Sequence, residues 1–90
     1  MPRYIVERTF IDGLDIPSTL EGAEACLRVV DRNAELGVNW LHSYVTRDDA
    51  KTFCVYDGPD EDAIRRAAYR NRLPVDRITR VSVLDPFFHQ

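Results

Sequence analysis

The sequence predicts an α+β domain whose elements run β-α-β-β-α-β. Three observations predict it. Four short segments, at residues 3–9, 39–46, 51–56 and 78–84, are rich in β-branched and aromatic residues. Two longer segments between them carry helix-start signals, Ser18-Thr19-Leu20-Glu21 and Pro59 followed by Asp60-Glu61-Asp62. The link between the second and third strand segments, Arg47-Asp48-Asp49-Ala50, is polar and short, which makes it a hairpin loop.

The first strand covers residues 3–9 and is followed by a loop, Asp12-Gly13-Leu14-Asp15-Ile16-Pro17, set by its Asp, Gly and Pro content. Ser18 and Glu21 form a capping box. The helix behind it shows Leu20, Ala23, Leu27, Val30 and Ala34 as an apolar stripe, with Cys26 assigned to the core, and Gly37 is placed to end it. The second strand, residues 39–46, contains Trp40-Leu41-His42-Ser43-Tyr44-Val45; period-2 alternation places Leu41 and Val45 in the core and Trp40, His42 and Tyr44 on the opposite face. The third strand, residues 51–56, is read with Phe53 and Val55 inward, leaving Cys54 and Tyr56 outward. The second helix has a thin apolar face, Ile64, Ala67 and Ala68, and ends at Leu73-Pro74-Val75-Asp76. The last strand, residues 78–84, is read with Val81 and Val83 inward and Arg80 outward, before an aromatic tail at 85–90. On the first strand, Glu7 lies on the outer face if Val6 faces the helices.

This order is the ferredoxin-like split βαβ arrangement, read as one domain over residues 1–90. Strands one and three are central, and right-handed crossovers put both helices on one face of a four-stranded antiparallel sheet. The other face is left bare. Trp40, Tyr44 and Tyr56 would make it too apolar to stay wet, so a homodimer with opposed sheets, an association like that of the dimeric α+β barrels, is expected. A 90-residue chain has a modest core, which association would supplement.

Composition excludes several function classes. A net charge of −3 with no basic stripe argues against a nucleic-acid partner. No apolar run reaches membrane-spanning length, and the N-terminus lacks the apolar segment of a secretory signal. Two cysteines do not make a disulfide framework, so a reducing, cytoplasmic location is expected. The four glycines are scattered, with no phosphate-cradling loop among them.

The outer face then collects His42, Glu7 and Cys54 as candidate metal ligands, with Trp40, Tyr44, Tyr56 and Arg80 as candidate ligand or interface residues. Imidazole, carboxylate and thiolate together suit a borderline divalent metal such as nickel, zinc or copper. Each residue also has a plainer reading. His42 can be hydrogen-bonded, Cys54 a small buried hydrophobe, and Glu7 paired with Arg80.

Several blocks carry a resemblance over nearly the whole chain: Tyr4-Ile5-Val6-Glu7-Arg8, Trp40 to Val45, Lys51-Thr52-Phe53-Cys54-Val55-Tyr56-Asp57-Gly58-Pro59, and Leu73-Pro74-Val75-Asp76-Arg77-Ile78. On these the chain resembles a family of small bacterial nickel-binding, ferredoxin-like proteins of largely unassigned function. The resemblance implies a βαββαβ homodimer with opposed sheets and a divalent-metal site; Glu7 stands where the nickel-binding pattern is richer in histidine. Three functions remain open: a metal- or ligand-binding protein, a cofactor-independent enzyme of the dimeric α+β barrel type working between sheet and helices, and a structural or partner-binding module.

Overall fold

A computed structural model describes residues 1–13 and 20–89. The predicted capping residue Ser18, and with it the capping box, falls outside that range, as does most of the loop at 12–17. The elements are β1 (Arg3–Thr9), α1 (Leu20–Ala34), β2 (Asn39–Val45), β3 (Lys51–Asp57), α2 (Glu61–Arg70) and β4 (Arg77–Val81). A two-stranded hairpin follows, β5 (Leu84–Asp85) and β6 (Phe88–His89), where the sequence predicted a continued strand and a simple tail. The sheet order is β2-β3-β1-β4 and every pair is antiparallel, which is the predicted ferredoxin-like topology.

The β1 alternation is clean: Tyr4, Val6 and Arg8 are buried and the residues between them are not. That buried side faces the helices. α2 covers one half of it, with Ala63, Ile64 and Ala67 buried against Tyr4, Val6, Val38 and Tyr56, and Ala68 buried as well. α2 is capped by Asp60, whose carboxylate accepts from the Ala63 N–H at 2.8 Å. Its basic outer face is neutralised by Glu61–Arg65 and Asp62–Arg66 pairs one turn apart, and Arg70 pairs with Glu35 of the α1–β2 connection. Gly37, at φ +70°, turns the chain out of α1 in the left-handed conformation its position required.

α1 is rotated from its predicted orientation. Ala23, Leu27, Val30 and Ala34 of the predicted stripe are exposed, Leu27 at 62%. The inward residues are Gly22, Ala25, Cys26, Val29 and Asn33. Cys26 does face the sheet, as expected, while the larger apolar side chains look outward. The sheet-facing side of α1 is therefore built from small residues. Among the described residues no helix is long and apolar enough to cross a membrane.

Candidate functional site

The strand register decides which candidate residues share a face. Glu7 pairs across with Phe53, and His42 with Val55, which itself opposes Ile5. Glu7, His42 and Tyr44 therefore stand on the helix-free face, as predicted. The His42 and Tyr44 rings meet edge to face, centroids 5.2 Å apart.

Four other residues belong to the opposite, helix-covered side. Cys54 opposes Val6 and Tyr56 opposes Tyr4, so both point into the core, where they are 7% and 4% exposed. Phe53 and Val55 take the open face instead. The β3 prediction was inverted because Phe53-Cys54-Val55-Tyr56 is apolar on both sides and alternation carries no sign there. Trp40 opposes Tyr56, but a one-residue bulge at Leu41 separates it from His42, so the two lie on opposite faces. Trp40 Nε1 donates to Ser43 Oγ at 2.9 Å on the helix side. Arg80 opposes Tyr4, and Ile78 opposes Val6; the helix side of β4 thus carries Ile78 and Arg80, and Val81 is on the open side. Glu7 accordingly has Arg77, not Arg80, as its β4 neighbour.

The three predicted metal ligands are thus divided by the sheet. Glu7 and His42 share a face but lie two strands apart; interstrand and along-strand spacings put their Cα atoms about 12 Å from each other. Among the described residues, no group of three His, Cys, Asp or Glu side chains gathers as a metal centre. On the open face of one copy the imidazole has Glu7 two strands away and Asp57 engaged by Arg3, which does not complete a transition-metal site.

The covered side holds a different arrangement. Between α1 and the sheet lies a hollow of about 180 Å³. Phe10, Ala25, Cys26, Val29, Trp40 and Leu73 form most of its wall, and Arg8, Tyr56, Ser43, Thr52 and Cys54 supply its polar atoms. Arg8 is 2% exposed. Its Nη1 donates to the Pro74 carbonyl at 2.7 Å and its Nη2 to the Tyr56 hydroxyl at 3.1 Å, while Nε–H has no acceptor among the described residues. No carboxylate among the described residues pairs with it. Burial, the dominant effect, pushes the Tyr56 phenol above its ordinary pKa despite the nearby guanidinium, so the phenol stays neutral. Sequence reasoning passed over Arg8. Its shared parity with Tyr4 and Val6 was the available signal, because fixing Val6 inward also buries Arg8.

The opposite end of the sheet shows what an ordinary pairing looks like here. Arg3 Nε and Nη2 both donate to the Asp57 carboxylate, at 2.8 and 3.2 Å. Arg3 holds the Asp57 carboxyl below the usual carboxylate range.

A family model described as nickel responsive protein SCO4226-like matches residues 4–81 of this chain. The crystal structure of SCO4226 from Streptomyces coelicolor A3(2) is similar, with a TM-score of 0.72 over 92% of this chain and 99% of that one, at 15% identity. At that identity the likeness speaks for the fold. No curated protein matches the sequence.

Proposed function

This chain belongs to the nickel responsive SCO4226-like family, and from that premise we propose that it is a small homodimeric binding protein taking a divalent transition metal, nickel foremost, on the open face of its sheet. The observation that carries the reading is His42, an exposed imidazole on a sheet face that no helix covers. Neutral imidazole suits nickel, copper and zinc. Ile5, Phe53 and Val55 give the same face an apolar centre suited to a second copy. A two-fold axis running along β3 between two stacked sheets would bring Glu7 of one copy to the side occupied by His42 of the other. The ligand set that one chain lacks would then be assembled from two. Cys54 and Arg80 have no part in this reading, since both lie on the other side of the sheet. The two free cysteines accord with a reducing compartment such as the cytoplasm.

Tag-free protein tests the proposal. Light scattering should give a mass near twice 10.4 kDa. Equilibrium dialysis should show saturable nickel or zinc binding that His42→Ala weakens by at least about tenfold, the equivalent of ~1.4 kcal/mol. A monomer that takes up neither ion overturns it.

A further inference from the structure

We propose that the hollow between α1 and the sheet is a binding site for a small organic acid, a monocarboxylate with an apolar aliphatic or aromatic body, and that Arg8 is the residue that recognises its carboxylate. This site is on the far side of the sheet from His42, and the inference stands or falls independently of the metal.

The argument starts from the guanidinium. A buried positive charge is ordinarily matched by a carboxylate, because an unpaired ion in a low-dielectric interior is costly. Arg3 in this same chain, though half-exposed, shows the geometry of such a match, with Nε and Nη2 engaging both oxygens of Asp57. Arg8 presents the same two-pronged edge with no carboxylate of the described residues on it: Nη2 rests on the Tyr56 phenol and Nε–H has no acceptor among them. The Tyr56 ring, 6.0 Å from the guanidinium carbon, offers only a weak counterpart to the charge. A carboxylate is the group whose geometry fits that edge.

The neighbouring polar atoms point the same way. The Tyr56 hydroxyl accepts from Arg8, the Ser43 hydroxyl accepts from Trp40, and the Thr52 hydroxyl accepts from the Cys54 thiol at 3.5 Å. The Ser43 and Thr52 oxygens thus each have a donor, which leaves their O–H groups to donate, while the Tyr56 hydroxyl also meets the Cys54 side chain. No carboxylate among the described residues lines the hollow, and its few polar atoms, those of Arg8, Ser43, Thr52 and Tyr56 among them, sit deep in an otherwise apolar wall. The remainder is apolar, lined by Phe10, Val29, Trp40 and Leu73 among others. An apolar cavity of about 150 Å³ admits benzene; at about 180 Å³ this one suits a body of that size. On binding, the acid's two oxygens take Nε and Nη2, and the displaced phenol O–H donates to the same anion. No covalent step is involved.

Benzoate and hexanoate are the probes, with benzyl alcohol and hexylamine as controls of similar shape. The expected result is saturable binding of the acids, with the control compounds weaker by at least about tenfold, the loss that follows from an unmatched charged hydrogen bond. The Arg8 Nε–H resonance should shift downfield as the acid is added. Cys26→Leu, which fills the hollow and leaves Arg8 in place, should abolish acid binding while the circular-dichroism spectrum is kept. Acids that do not bind saturably, controls that bind as well as acids, or a Cys26→Leu protein that still binds them would each overturn the proposal. Retention of nickel by the same protein would be irrelevant to all three outcomes.

Discussion

Replacing Arg8 by methionine separates a strut from a recognition group. If the guanidinium were structural, its removal would strand the Pro74 carbonyl and the Tyr56 hydroxyl. Two hydrogen bonds would then be lost, together about 2–4 kcal/mol. Against this stands the desolvation of a cation with no carboxylate, an effective penalty of several kcal/mol even after relaxation. Methionine keeps most of the stem's packing and adds about 1 kcal/mol of apolar burial. The opposing contributions leave Arg8→Met neutral to stabilising by up to about 2 kcal/mol in ligand-free protein. For a domain of this size that corresponds to a rise in Tm of up to about 10 °C. Urea unfolding followed by circular dichroism reads it, provided the m value is unchanged. A loss of more than about 2 kcal/mol would show that the two hydrogen bonds outweigh the charge, and the reasoning from an uncompensated cation would fail.

Other perturbations test neighbouring parts of the account. Tyr56 has its pKa raised mainly by burial, so above pH ~10 the unfolded chain ionises first and stability falls as pH rises. Tyr56→Phe should flatten that alkaline limb in urea midpoints measured across pH. Asp57 has its pKa lowered by Arg3, so its contribution is present above the unfolded value of about 3.9 and is lost as pH falls through the lower folded value. Asp57→Asn should flatten the acid limb of the same measurement. At Gly58 a Cβ would stand 2.8 Å from Ile64 Cδ1 and 3.5 Å from Val38 Cγ2. Gly58→Ala should therefore cost about 1–3 kcal/mol, and Ile64→Val, which deletes the clashing methyl, should recover part of it in the double variant.

The topology was legible because it rests on features that survive local error: the number of segments, the shortness of the 47–50 link, and the handedness of crossovers. Facing was legible only where polarity alternates. β1 leaves the choice open, since Tyr4, Val6 and Arg8 on one face and Arg3, Ile5 and Glu7 on the other each mix charged and apolar residues; Glu7 is outward only on the condition that Val6 faces the helices, which it does. In β3, Phe53-Cys54-Val55-Tyr56 has two apolar faces and the choice between them has no local basis. In β4, Ile78 and Val81 have opposite parity, and favouring Val81 turned Arg80 the wrong way. In β2 the bulge at Leu41 is marked by no glycine, and it alone moves Trp40 away from His42. The candidate site inherited each of these inversions, which is why Cys54, Tyr56, Trp40 and Arg80 left the open face while His42, Tyr44 and Glu7 stayed.

The hollow itself follows from the α1 inversion. α1 offers two competing stripes, one of Leu27 and Val30 and one of Gly22, Ala25, Cys26 and Val29. Maximum burial would favour the first, yet the second faces the sheet. Under α2, where Ala63, Ile64 and Ala67 meet Tyr4, Val6 and Tyr56, the recess against the same sheet leaves no room for a water molecule. The half beneath α1 is hollow, and there the helix presents its small residues while the sheet contributes Trp40, Tyr56 and Arg8. A core selected for stability alone would turn leucine inward and close that space, since each buried methylene is worth about 0.8 kcal/mol. The open volume and the unmatched guanidinium occur at the same place. A cavity explains neither the charge nor the donors, and a buried arginine does not require a cavity; a carboxylate ligand with an apolar body accounts for both.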